Sequence, residues 1–490
     1  MNFISGENRD QTILLPESIE EYVAENNTVR VIDAYVRNLN LEEMGFAKPV
    51  PHDTGRPMYD PKDMLKLYIY GYMNRIRSSR RLEGETKRNL EVIWLLGKLS
   101  PDHKTIARFR HDNTRALKNV FCNFVQLCMR FELYGKELIS IDGSKFKAVN
   151  SKDRNFTEKK LGNHVKRLEA KIEGYLHEME VGDEEEDNAK REKSAKEIKD
   201  IVRGLTERKE KYQQYVQELK RTGETQKSMT DKDSRLMKGN GKMDVCYNVQ
   251  TAVDGKNKMI VEFEVTNNAG DANQILPMSK KAQGILKTKE LTVIADAGYN
   301  SVQDIVASMD RGINVHVAGT DFDICVPAAA QGDTITGHKD GRCVYFPDRN
   351  IVLCPMGKIL YPSFYKKTNK RGTFNNPKGC KSCTCLCTKR ILGRLHEVTM
   401  AEDNFSKEYN DKDLFIRQIR IKADKSIIRQ RKSIVEHPFG TLKRSMDAGY
   451  CLTKGLRNVT GEFSLAFLAY NLKRAINILG CRKMIENIAF

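Results

Sequence analysis

The chain has 490 residues, of which 40% are hydrophobic and 30% charged, so it carries the apolar material for a sizeable core and is not a disordered chain. Lys and Arg number 83 against 65 Asp and Glu, a formal charge of +18, and an excess of that size implies a polyanionic partner, most commonly nucleic acid. No stretch approaches the ~20 apolar residues a bilayer requires. The first ten residues (Met1 to Asp10) lack the basic-then-apolar order of a signal peptide, so a cytoplasmic protein is expected.

Residues 1–55 hold short apolar runs and leave through Pro49 and Pro51. From Pro61 the pattern is helical, with Met64, Leu65, Tyr68, Ile69, Tyr72 and Met73 at spacings of three and four, and Asp60 as N-cap. Further helices are predicted around Leu90–Leu96 and from Thr105 to about Phe131. This region is rich in Arg and predicts a helical, helix-turn-helix-like DNA-binding domain over 1–135, with Lys104, Arg108 and Arg110 as DNA contacts. A solvated basic face on a packing domain is the plainer alternative.

At Leu138–Ser144 the pattern changes to an apolar strand that ends in an acid, Asp142. Over 157–230 two apolar seams flank the acidic run Asp183–Asp187. The first steps through Leu161, Val165, Leu168, Ile172, Leu176 and Met179. The second runs through Ile198, Val202, Leu205, Tyr212, Val216 and Leu219, interrupted only by Lys209. They predict a helical hairpin, paired with itself or with a partner. Val245–Val253 and Met259–Val265 around Asp254-Gly255 predict a β-hairpin. A helix over 271–286, a strand Leu291–Asp296, a helix Val302–Met309 and a strand Asn314–Val317 follow. Residues 320–400 are punctuated by Cys, Gly and Pro and are read as an insertion. From Ile416 to Arg444 the chain is strongly basic and largely helical, and Phe463–Leu479 is an apolar closing helix.

Without the two insertions the order is β, β-hairpin, α, β, α, β, then helices. That is a ribonuclease H-like layout, a mixed sheet with helices on both faces, split over 136–156, 231–319 and 401–490. Asp142 and Asp296 both end strands that are neighbours in this layout. Two adjacent carboxylates call for a cation, and Mg²⁺ takes hard oxygen ligands. Glu436, alone among the cations of Arg429–Arg444, is the candidate third acid of a two-metal clamp. For a single strand-end Asp a turn or cap is the plainer role, and for Glu436 an ion pair with Lys432 or Lys443.

The stretches Ile141-Asp142-Gly143-Ser144-Lys145, Ile294-Ala295-Asp296-Ala297-Gly298-Tyr299 and Val435-Glu436-His437-Pro438-Phe439-Gly440-Thr441-Leu442-Lys443-Arg444 resemble the three acidic motifs of bacterial insertion-sequence DDE transposases. Val265–Asp271 resembles the segment those enzymes carry between the first two acids. Within the family the chain is similar to the eleven-eighty-two-like group of the insertion-sequence-four superfamily, from about Gly55 to Leu479. The resemblance implies that Asp142, Asp296 and Glu436 hold two Mg²⁺ (or Mn²⁺) ions for cleavage and strand transfer. It implies terminal inverted repeats and target DNA as partners, a homodimer on paired ends, and a bacterial, nucleoid-associated enzyme. Lys432, Lys443 and Arg444 would hold DNA phosphates beside the metals. Around the Glu, Arg429 stands where relatives have Tyr, and Lys432 where they have Arg. A domesticated DNA-binding relative and a simple metal-dependent nuclease are the competing functions.

Of twelve cysteines, seven lie scattered as ordinary thiols and five fall in one segment. Cys380-Lys381-Ser382-Cys383 is a C-x-x-C knuckle and Cys354 opens a half-knuckle. With Cys385 or Cys387 as fourth ligand, taken here as Cys387, they predict a structural zinc site, against the alternative of free thiols in a loop.

Overall fold

The computed structural model describes residues 18–46, 58–151, 154–182, 188–224, 226–239, 242–309, 311–318 and 424–489, together with strands of the segment between 321 and 422. Six helices come first: α1 (Thr28–Arg37), α2 (Pro61–Met73), α3 (Ser79–Arg88), α4 (Leu90–Leu95), α5 (His103–Asp112) and α6 (Thr114–Arg130). The Asp60 carboxylate accepts the Lys62 N–H at the start of α2, with Pro61 in the first turn, where its missing N–H costs nothing. Asp102 caps α5 in the same way. The single helix expected over 105–131 is two helices, because Asn113 turns its side-chain amide back onto the Phe109 carbonyl and breaks the run.

The central sheet is built from β1 (Leu138–Lys147), β4 (Arg235–Gly239), β5 (Lys242–Asp254), β6 (Ile260–Thr266), β7 (Leu291–Ala295) and β8 (Ile313–Val317). The order is β6-β5-β1-β7-β8, with β4 also paired to β5. Strands β1, β7 and β8 are parallel, and β5 runs antiparallel to β1. Helices α9 (Ile275–Leu286) and α10 (Val302–Met309) make the crossovers. The sequence pattern places these elements to within a few residues, except β4, for which it predicts no strand. Asp254, in the β5–β6 turn, accepts the N–H groups of Gly135, Lys136 and Lys256, which anchors the entry to β1.

Two insertions leave and rejoin this core on two-stranded antiparallel stems. The first stem pairs β2 (Asn155–Thr157) with β3 (Gln226–Ser228) and carries the hairpin of α7 (Glu158–Gly182) on α8 (Asn188–Thr222). The seams pair with each other. Leu161 and Leu219 are buried with Phe156, and Lys209 reaches Glu169 across the pair at 3.1 Å, which explains the interruption in the second seam. The second stem pairs Asp321–Val326 with Arg417–Lys422 and encloses a seven-stranded antiparallel sheet from strands between Ile335 and Tyr409. Residues 417–422 are therefore strand, not helix: Ile419 and Ile421 alternate with Arg420 and Lys422, a period of two that the high charge disguises.

After the second insertion come α11 (Lys425–Gly440), α12 (Leu456–Leu479) and α13 (Cys481–Ala489). Helix α12 is buried along nearly its whole length. It packs on α6, α2 and β6, so the amino-terminal helices and the sheet share one core. Phe467 meets the Phe263 ring at 4.6 Å and Phe463 meets Phe146 at 4.6 Å. The Asn471 side chain accepts the Ile260 N–H and donates to the Ile260 carbonyl, covering the edge of β6. Gly461 lets α6 approach: a Cβ there would stand 2.9 Å from Thr114 Cγ2. Among the described residues no helix is long and apolar enough to cross a membrane.

One buried ion pair ties the chain's two ends. Glu462, 2% exposed, lies 3.2 Å from Arg77, 4% exposed, and also accepts the N–H groups of Leu452 and Thr453. Removing one partner strands a desolvated charge, so Glu462→Ala should lower unfolding free energy by about 3–5 kcal/mol in denaturant titrations; a loss under about 1 kcal/mol would show that the pair does not hold the ends together.

Candidate active site

The sheet register brings the first two predicted acids level. Ser140 of β1 pairs with Ile294 of β7, and two residues further along each chain stand Asp142 and Asp296. Asp296 follows β7 directly, and its carboxylate accepts the Gly298 N–H at 2.9 Å, so it is both cap and acid. Asp142 is mostly buried in mid-β1. Burial pushes its carboxyl up to about 6, with the charges of Asp296 and Asp271 adding to the shift. Arg431 of α11, 3.5 Å away, and the Gly143 N–H pull in the other direction.

A carboxylate absent from the expected triad closes on this pair. Asp271 accepts from Lys145 at 3.0 and 3.1 Å, from Asn248 at 2.7 Å and from Gln250 at 2.7 Å, and the Tyr299 hydroxyl donates to Gln250 in turn. The glycines of the two acidic motifs make room for it. A Cβ on Gly143 would stand 2.7 Å from Asp271 Oδ1, and one on Gly298 would stand 3.0 Å from Asp296 Oδ1 and 3.8 Å from Asp271 Oδ2. The sequence signal for Asp271 was its place in the segment between the first two acids.

The third predicted acid is Glu436. It is exposed on α11 and makes no ion pair or hydrogen bond among the described residues, so neither Lys432 nor Lys443 pairs with it. The helix face turned to the sheet carries Ile434, Val435, Pro438 and Phe439, and Arg431 extends that stripe to Asp142. The cation beside the acid is thus Arg431, one position before Lys432. The spacing of Arg431, Ile434, Val435 and Pro438 could have identified it. Among the described residues no three Asp, Glu, His or Cys side chains are grouped closely enough to hold one ion as they stand.

The predicted DNA contacts divide. Lys432, Arg444, Lys104 and Arg108 are exposed, Arg108 beside Asp112 at 3.3 Å. Lys443 is half-buried, its Nζ 2.5 Å from Ser144 Oγ and 4.8 Å from the Phe146 ring centre; burial lowers its pKa while Cys246 and Asp142 oppose the shift. Arg110 is interior, a correction to its expected role. It is 9% exposed, its guanidinium 5.6 Å from the Tyr68 ring and 3.3 Å from the Tyr72 hydroxyl, because it falls on the apolar face of α5 with Ile106. Cys354 is buried, whereas Cys380, Cys383, Cys385 and Cys387 lie outside the described residues.

Two known families match the chain. Residues 208–472, more than half of the chain and including Asp296 and Glu436, match the model of the transposase DDE domain. Residues 17–112 match a second transposase domain, DUF772. The chain belongs to the DDE transposases, enzymes that cleave DNA and transfer its strands. The family uses divalent metal ions. Among solved structures the chain is similar to the piggyBac transposase synaptic complex with hairpin DNA, determined by cryo-EM, with a TM-score of 0.29 and 7% identity over 94% of this chain and 79% of that one. No curated protein matches the chain.

Asp142 gives a direct test of the site's electrostatics. Its native pKa lies above the unfolded value, so the ionised form weakens the fold above about pH 6, and the loss is relieved as pH falls toward 4. Asp142→Asn should therefore raise stability at pH 8, by at most about 3 kcal/mol at about 1.4 kcal/mol per pKa unit. The gain should shrink between pH 6 and 4 in melting curves; a gain that does not vary with pH would contradict the buried-charge account.

Proposed function

We propose that the chain binds the terminal inverted repeats of its own element and cuts and rejoins DNA on a ribonuclease H-like core. The sheet order β6-β5-β1-β7-β8, with β5 antiparallel to its neighbour β1, supports that fold. The observation that carries the reading is the level placement of Asp142 and Asp296 on adjacent parallel strands, with cationic side chains around them. These carboxylates fit a divalent cation: they are hard oxygen donors, and the raised pKa of Asp142 reports negative charge gathered in a buried place.

Asp142, Asp296 and Glu436 would hold two Mg²⁺ or Mn²⁺ ions, which when bound supply charge neutralisation and activate the attacking oxygen. The chain's own part is positioning and neutralisation. Arg431 shields Asp142 in the absence of metal. Lys443, held by Ser144, presents its ammonium to a phosphate beside Asp142. Lys432, Arg444, Lys104 and Arg108 offer further phosphate contacts. The self-paired α7–α8 hairpin is a candidate interface for a homodimer on two ends, acting on target DNA in the cytoplasm and nucleoid.

A second reading concerns only the third acid. Glu436 rests on its motif, whereas Asp271 rests on its approach to both motif glycines. Cleavage of a labelled duplex carrying the terminal repeat, with Mg²⁺ or Mn²⁺, separates them. Asp142→Ala and Asp296→Ala should reduce cleavage to background while gel-shift affinity persists, because affinity comes from basic residues elsewhere. Glu436→Gln should do the same; if it cuts at the wild-type rate and Asp271→Asn does not, Asp271 is the third acid. Wild-type cleavage by a folded Asp142→Ala protein would sink the mechanism.

A further inference from the structure

Beside Asp142, where β1 runs past the β4–β5 turn, lies a cavity of about 410 Å³. Lys145, Lys147, Lys238 and Lys443 line it, against one carboxylate, Asp244. Two of these cations have acidic partners: Lys145 is held by Asp271, and Lys147 lies 3.7 Å from Asp244. Lys238 and Lys443 have none among the described residues. The oxygen beside Lys443 is the neutral Ser144 hydroxyl, so a half-buried ammonium stands with no counter-charge in contact. That arrangement is unfavourable alone and is relieved by an anion. The thiol of Cys246, also in the lining, is pushed up to about 11, chiefly by burial, so it adds no negative charge near neutral pH. Gly143, Gly239 and Gly449 complete the lining.

We propose that this cavity seats a phosphodiester of the strand being cut, next to the scissile phosphate, with Lys147 and Lys238 as its cationic wall. The proposal rests on the DDE reading and adds to it a backbone contact made from the β4–β5 end of the sheet. Lys443 links the two places, since it opens on the cavity and feels the charge of Asp142. A cavity of this size takes one nucleotide unit, and four lysines suit a point-charge grip that reads backbone and not base.

The test uses the full chain and duplexes carrying the terminal repeat from the DNA that flanks the coding sequence, each with one phosphate near the cut replaced by a neutral methylphosphonate. Lys238→Gln and Lys147→Gln alter exposed side chains, so folding should be preserved. Each should weaken binding and reduce the slope of log affinity against log salt by about 0.7–0.9. Each should also lose the penalty that wild type shows for a methylphosphonate at one position next to the cut. Lys483→Gln, at an exposed position of α13, should keep the wild-type penalty there. A Lys238→Gln protein with the wild-type salt slope and methylphosphonate profile overturns the proposal. So does a cavity that takes only free anion, seen as millimolar inorganic phosphate raising the melting temperature of wild type but not of Lys238→Gln while the methylphosphonate profile stays unchanged. Wild type that neither binds nor cuts the terminal duplex fails the underlying DDE reading instead.

Discussion

Burial of α12 is the constraint on which the rest of the structure depends. A helix buried on nearly all sides can exist only if other elements cover every face, and here α2 and α6 cover one side while β6 covers another. Its polar groups are satisfied inside the protein, Glu462 by Arg77 and two backbone N–H groups, Asn471 by the edge of β6. The amino-terminal helices, the sheet and the carboxy-terminal helices therefore form one core, and the acids sit on a rigid floor.

The site itself is a balance of charges held close together. Asp142, Asp296 and Asp271 repel one another, and Arg431 and Lys145 offset part of that repulsion. A fold that holds like charges this close, one in mid-strand and one just past its neighbour, gives up stability to do so. Next to Asp142 in the chain, Gly143 and Ser144 line a cavity that also carries four lysines, so positive charge gathers close to the acids.

Both insertions follow one structural rule. Each leaves the core on a two-stranded antiparallel stem, which brings the ends of a long excursion together and lets it fold on its own contacts. The α7–α8 hairpin and the seven-stranded sheet can thus occupy the chain between the acids without altering the register of β1 against β7.

Much of this was legible in the sequence because local patterns carry it. Apolar and β-rich runs marked β1, β5, β6, β7 and β8, and the Asp60 cap marked a helix start. Charge misled the reading where it masked periodicity, as in the 417–422 strand and at Arg110, whose burial depends on aromatic neighbours from α2. What only the tertiary structure decided is which polar groups meet across elements far apart in the chain: Arg431 on Asp142, Asp271 on Lys145 and both motif glycines, Glu462 on Arg77, and Glu436 on an exposed face. Spacing along one strand or helix fixes which face a residue takes, but which partner it finds there depends on how separate elements pack, and no local pattern encodes that.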